Sequence, residues 1–265
     1  MVTAAENERT VVAVLADRFD VPVHRIEPGR VTVVSTPKAS AAVRAFLHAG
    51  PSEAPLAGGP AGALAPGRAA DMRGPAGAPG VLGNGAGGVR VGDVVVMARP
   101  EHVELARRLL TDPATIEADL AELAGGLGGR LIGVVARTGL HVPEPETEVT
   151  LTSATDRRLP DWVIGHFTGP AWVVLSPDGR VLSTAVLKDY DERLREISVG
   201  TEETARGRGL AKAVVRAAAR DVLAHGRSVL YLHDLGNHAS AAVAAASGLG
   251  ELGRVISVVG ERRAT

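Results

Sequence analysis

Residues Glu196–Arg220 read EISVGTEETARGRGLAKAVVRAAAR, and this pattern predicts a strand, a short loop rich in Gly and Arg, and a helix. Ala211, Val214, Val215, Ala218, Ala219, Val222 and Leu223 recur at the i, i+3, i+4, i+7 spacing of one apolar helical face. Lys212, Arg216 and Arg220 recur every fourth residue on the other side and read as a solvated basic row. Gly226 stands where a helix commonly stops.

The loop that feeds this helix carries the chemistry. The first turn of a helix leaves backbone N–H groups unpaired and holds a partial positive charge, so it attracts phosphate. Gly207 and Gly209 carry no Cβ that would keep an anion off the main chain, and Arg206 and Arg208 add full positive charge at the same place. The strand ahead of it, Arg195 to Thr201, would carry the rest of the same ligand along its edge.

Arg206-Gly207-Arg208-Gly209-Leu210-Ala211 resembles the [Gln/Arg]-x-x-Gly-x-[Gly/Ala] signature of the GNAT superfamily of N-acetyltransferases, and it lies between a strand and a helix as that signature does. A following strand at Val229–Asp234 extends the resemblance. So does Asn237-His238-Ala239-Ser240, which leads through an Ala-rich helix to Gly248-Leu249. The resemblance covers less than half the chain, from about residue 148 onward. It implies a mixed α/β sheet in which the central strand and the next one splay apart around the pantetheine arm of acetyl-CoA.

On that resemblance the main-chain groups of Val199 and Thr201 would pair with pantetheine, and the amides from Gly207 through Leu210 to Ala211 would take the pyrophosphate. Arg206 and Arg208 would lie near its charge, with Asn237 and Ser240 on the far wall. Asn and Ser are equally favoured at helix starts, so both residues also read as plain caps. The implied activity is transfer of an acetyl group from acetyl-CoA to a primary amine, by direct attack in a ternary complex. The alternative of a different class is a non-catalytic acyl-CoA-binding sensor or partner module, which would bind coenzyme A and turn over no amine.

Acyl transfer to an amine needs the amine unprotonated, a donor for the developing oxyanion and a proton for the departing thiolate. Glu196 is the candidate base, from the strand on which the family often carries a carboxylate. Alternation sets Glu196 on the face opposite Ile197, Val199 and Thr201, so the role calls for the bulge that this strand usually carries in relatives. The plain alternative is an exposed strand Glu paired with Arg195 or Arg180; Asp189, Asp191, His233 and Tyr231 are reserves. Aligning Gly248-Leu249 with the family's Gly-Phe sets Ala244 where many members have a tyrosine thought to protonate the thiolate. Because a thiol titrates near pH 8.5, water or the incoming ammonium could serve instead.

The remaining sequence bounds the answer. With 265 residues, two domains fit: residues 1–145, an α/β unit interrupted at 50–88 by an Ala, Gly and Pro tract with little to bury, and residues 146–265. In the first, Glu6–Phe19 reads as a helix, Val31–Ser35 and Val89–Met97 as strands, Pro100–Leu110 and Pro113–Leu123 as helices, and Leu131–Ala136 as a short strand. In the second, Glu148–Leu151 opens the sheet and Asp156–Phe167 makes one or two short helices. A hairpin turns at Ser176–Arg180, and a last pair of strands lies around Leu252–Val259.

Gly83-Asn84-Gly85-Ala86-Gly87-Gly88 satisfies G-x-G-x-x-G, but neither a strand before it nor a helix after it supports a dinucleotide fingerprint. A net charge of −1 and only two Trp, two Tyr and three Phe leave no footprint for nucleic acid. The absence of cysteine removes disulfides and a cysteine nucleophile and fits a reducing cytoplasm. The eight His show no metal-ligand spacing, and no G-x-S-x-G occurs. No uncharged apolar run reaches membrane-spanning length. These features predict a cytoplasmic enzyme with no metal, taking a small-molecule or peptide amine; a homodimer is compatible with the sequence, and nothing in it fixes the oligomeric state.

Overall fold

The computed structural model describes residues 3–19, 30–36, 41–49, 91–153, 159–160, 169–189 and 192–260. The Ala/Gly/Pro tract, the Gly83–Gly88 motif and nearly all of the segment expected to form helices at Asp156–Phe167 lie outside the described residues.

In chain order the elements are α1 (Ala4–Phe19), β1 (Val31–Ser35), β2 (Val43–Ala49), β3 (Val91–Ala98), α2 (Val103–Leu109), α3 (Ile116–Gly126), β4 (Gly129–Thr138), β5 (Thr150–Ser153), β6 (Pro170–Leu175), β7 (Val181–Asp189), β8 (Leu194–Thr201), α4 (Leu210–Ala224), β9 (Ser228–Asp234), α5 (His238–Ala246) and β10 (Gly250–Gly260). Ten strands make one mixed sheet in the order β1-β3-β2-β10-β4-β9-β8-β7-β6-β5. β1 with β3 and β8 with β9 are parallel; the other pairs are antiparallel.

Alternation along the strands sorts the helices onto two faces. Trp172, Val174, Leu182, Ile197, Val229 and Tyr231 pack under α4 and α5, and Ala45, Val94, Val96, Ile256 and Val258 under α2 and α3. The intervening residues of the same strands, Phe46, Val95, Ala136, Leu194, Leu230 and Val255, meet Val11, Val14 and Leu15 of α1 on the opposite face. Asn7 anchors the start of α1: its Nδ2 donates to Thr138 Oγ1 at 2.8 Å, and that hydroxyl donates to Val229 O at 2.6 Å.

Several expectations are corrected. The short strand expected at Leu131–Ala136 is ten residues long and lies in mid-sheet, between β10 and β9. β2, which the sequence reading did not single out, joins β3 to β10. The expected last pair around Leu252–Val259 is the single strand β10, whose partners are β4 and β2 from the first half of the chain. The sheet therefore runs without a break across the boundary expected at residue 145.

Nor is the basic row on α4 wholly solvated: Arg220 is exposed and Lys212 half-buried, but Arg216 is buried. The segment from Val142 to Glu146 lies along the helix: Arg220 Nη1 donates to Val142 O at 3.1 Å, Arg216 Nη1 to Glu144 O and Glu146 Oε1 at 3.1 Å each, and Lys212 Nζ to Glu146 Oε2 at 2.7 Å. Arg220 also pairs with Glu144, and Arg216 is 8% exposed. The fit is metric. Four helical residues advance about 6 Å and two extended residues about 6.6 Å, so every second residue of the strap meets every fourth residue of the helix. Lys212 and Arg216 hold the Glu146 carboxyl below its usual range through these bonds.

Candidate active site

β8 and β9 pair from Leu194–Ser228 to Ile197–Tyr231, and their ladder ends there. β8 stays with β7 as far as Thr201, while β9 turns to β4 from Tyr231 to Asp234. Two parallel neighbours drawn to different partners must part, and a gap opens between them. Glu202 N–H donates to Leu182 O at 2.9 Å, which sets the phase of β8. Even-numbered residues turn their main chain to β7, so Val199 and Thr201 turn N–H and C=O into the gap. Ser183 Oγ donates to Gly200 O at 3.0 Å and lies 2.9 Å from Thr201 Oγ1.

A cavity of about 270 Å³ occupies this gap and reaches both faces of the sheet. Ile197, Val199, Tyr231, His233, Asn237 and Ser240 line it on the side of α4 and α5; Arg18, Val134, Glu196, Ser198, Leu232 and Asp234 line it on the side of α1. The bulge expected in β8 is absent, since the register to β7 and to β9 stays constant along the strand. Glu196 thus remains on the face opposite Val199, and the two border one cavity because the gap passes through the sheet. Its carboxylate is reached from α1. Arg18 Nη1 of α1 donates to Glu196 Oε2 at 2.9 Å, Arg195 Nη1 bonds Leu194 O, and Arg180 pairs with Glu202.

At the end of the gap the chain makes a 3-10 turn, Glu203–Ala205, and enters α4 through Arg206–Gly209. Gly207 and Gly209 have φ of +76° and +77°, the left-handed region that side chains with a Cβ avoid at a cost of about 1–2 kcal/mol. A Cβ on Gly207 would meet nothing within 4 Å, and one on Gly209 only Lys212 Cε at 4.0 Å. Backbone conformation, not crowding, calls for glycine here, and the space over the loop is open. Gly209 is the N-cap of α4 and supplies no side-chain bond to the first turn. Arg206 and Arg208 are exposed beside it and Leu210 is buried, anchoring the helix start.

α5 begins differently. Asn237 Oδ1 accepts from Ser240 N–H at 3.0 Å, and Ser240 Oγ lies 2.7 Å from Tyr231 Oη. Both residues therefore cap or brace a helix and also line the cavity. Burial raises the Tyr231 pKa against the opposing bond to Ser240, so the phenol stays protonated. Burial lowers the His233 pKa, and its Nε2 already accepts from Arg137 Nε at 3.0 Å, which leaves it poorly suited as a base. Asp191 lies outside the described residues, and Asp189 ends β7 opposite Arg195. Ala244 is fully buried in the core under α5.

Gly248, with φ of +84°, ends this helix where a Cβ would come 2.6 Å from His141 O. Close approach of the strap makes glycine necessary there. Among the described residues no group of three or more His, Asp or Glu could hold a metal ion, and no helix is long and apolar enough to cross a membrane.

Residues 138–249, from the last residue of β4 to the entry of β10, match the model of the acetyltransferase (GNAT) family. No curated protein matches the sequence. Among solved structures, a putative GNAT-family acetyltransferase from Novosphingobium aromaticivorans is 18% identical over 50% of this chain and 67% of its own, with a TM-score of 0.41. A GNAT-family acetyltransferase from Colwellia psychrerythraea is 13% identical over 54% of this chain and 62% of its own, also at 0.41. The likeness to the acetyltransferase (GNAT) family thus lies in residues 138–249, less than half of the chain.

Proposed function

We propose that this domain transfers an acetyl group from acetyl-CoA to a primary amine by direct attack in a ternary complex. The observation that carries this is the cavity through the splayed strands, with unpaired main-chain groups of β8 on one wall and an open glycine cradle at its end. The residues fit the cofactor. Val199 and Thr201 offer amide donors and acceptors to a pantetheine arm. The first-turn amides of α4, from Gly207 to Ala211, with Arg206 and Arg208, suit a diphosphate. Ser240 stands on the far wall, while the Asn237 carboxamide oxygen is already engaged as a cap.

Acetyl-CoA, when bound, supplies an acyl carbon activated by a thiol leaving group. The protein's own part is to hold the amine against it, which can supply most of the rate. An N–H of Val199 or Thr201 serves the oxyanion, and Glu196 takes the amine proton from the α1 side. With no cysteine in the chain, no thiol acyl-enzyme forms, and with alanine at position 244 water protonates the departing sulfur.

Free-thiol release with acetyl-CoA and a panel of amines tests the assignment. Glu196→Gln is expected to lower kcat about 100-fold or more, with KM for acetyl-CoA changed little. Coenzyme A binding with no amine turned over would instead indicate a non-catalytic acyl-CoA-binding module.

A further inference from the structure

Tyr231 Oη and Ser240 Oγ lie 2.7 Å apart, and both residues line the cavity on the side of α5. A pair of hydroxyls carries a pair of protons, and the bond between them uses one. The other has no acceptor, since neither hydroxyl makes a further hydrogen bond to the described residues. A phenol is a stronger acid than an alcohol, and burial keeps this one protonated, so Tyr231 Oη–H donates and Ser240 Oγ accepts. The unspent proton is then on Ser240, which is half-buried, whereas Tyr231 is 1% exposed. The cavity wall thus presents one O–H donor, fixed by a core residue and polarised by the bond it accepts.

Local structure does not ask for that hydroxyl. A serine in the first turn of a helix commonly bonds a free backbone group, but here Asn237 already takes the Ser240 N–H. The rest of α5 after His238 is Ala and one Val, and alanine at position 240 would suit the helix better.

Tyr231 is in register with Ile197 on the last rung before β8 and β9 part. The run from Thr201 back to Ile197 spans about 13 Å at 3.3 Å per residue. A cofactor with its diphosphate at the start of α4 and its amides against Thr201 and Val199 would therefore bring its sulfur to the closed end of the gap, beside the hydroxyl pair. Glu196 is one rung further back, in register with Leu230, and on the other face of the sheet. The proposed base and the hydroxyl pair thus flank the gap from opposite sides.

We propose that Ser240 is a catalytic residue whose hydroxyl donates a hydrogen bond to the departing sulfur, and that Tyr231 is the positioning residue that aims it. This rests on the acetyltransferase reading above. A thioester sulfur is a weak acceptor and a thiolate a strong one, so the bond strengthens as the C–S bond breaks and favours the transition state over the bound substrate. The amine nitrogen gives one proton to Glu196 as the C–N bond forms. The sulfur leaves with the electron pair of the C–S bond, is held by Ser240 Oγ–H, and takes its proton from water, while the proton on Glu196 passes to solvent.

The test uses Ser240→Ala, Ser240→Thr and Tyr231→Phe in the full chain. Thiol release gives kcat and KM for acetyl-CoA, and thiolate absorbance against pH gives the titration of the thiol in bound coenzyme A. Ser240→Ala keeps the N–H that Asn237 caps and favours the helix, so Tm should hold. It should lower kcat about tenfold or more with KM for acetyl-CoA within about twofold. It should also raise the pKa of the bound thiol by about one pH unit, because a hydrogen bond to the charged form holds that pKa down. Ser240→Thr should recover part of both effects, and Tyr231→Phe should lower kcat less than Ser240→Ala, since the donor stays and only its guide is lost. Unchanged kcat in Ser240→Ala would overturn the proposal. So would a raised KM at unchanged kcat, the mark of a contact to the pantetheine arm alone, or a lowered kcat with the thiol titration unmoved, the mark of a structural role. A full chain that binds no coenzyme A would remove the acetyltransferase reading itself, and the proposal with it.

Discussion

Two helices begin at the splayed strands, and their first turns are finished in opposite ways. α5 closes its own end: Asn237 accepts from Ser240 N–H, and Ser240 in turn reaches Tyr231. α4 leaves its end open, with Gly209 as N-cap, positive φ at two glycines, no side-chain cap and two exposed arginines alongside. An N-cap side chain satisfies a donor that would otherwise be free for a ligand. A helix start lacking one keeps its donors available, so the open end is the one proposed to take an anion, and the capped end is its scaffold.

The largest test of that contrast is Gly209→Glu. A carboxylate at the open end, in a left-handed conformation, should weaken coenzyme A binding by at least about 10-fold and up to about 100-fold, from the lost dipole attraction and backbone strain together. Calorimetric titration with coenzyme A measures this, and unchanged affinity would break the comparison. Asn237→Ala should do the reverse. Stability falls by about 1 kcal/mol, seen as a lowered Tm, while the Kd for coenzyme A stays within about twofold. Smallest is Glu146→Gln on the strap over α4. Its partners Lys212 and Arg216 keep their other surroundings and the carboxylate is largely exposed, so the midpoint of urea denaturation should move little. A larger shift would show that the strap contributes more to the seating of α4 than surface ion pairs do.

Much of the second half was legible in the sequence because its signals are local. The apolar spacing of Ala211–Leu223 gave α4, Gly207 and Gly209 gave the cradle, and Ser176–Arg180 gave the hairpin, each within a few residues of what it specifies. The same local view misjudged Lys212, Arg216 and Arg220. Their spacing marks a helix face, but whether that face meets water or a strap depends on where residues 139–149 run. It also required a bulge for Glu196, since alternation assigns a side chain to a face and says nothing of a gap that joins the two faces. A signal for Arg18 did exist, a charge continuing the packed face of α1, yet its partner could not be named from the sequence.

By itself, then, the sequence determined the order of elements from the hairpin at Ser176–Arg180 to α5, the glycine-rich loop before α4 and the carboxylate on β8, because periodicity, glycine conformation and turn chemistry act over four or five residues. Only the tertiary structure decided that β4 closes the sheet beside β9, that the strands part beyond Ile197 and Tyr231, and that α1 crosses the far face with Arg18 against Glu196. Those outcomes depend on which strand edges and apolar faces remain to be covered once the local pieces exist, a competition among segments more than a hundred residues apart.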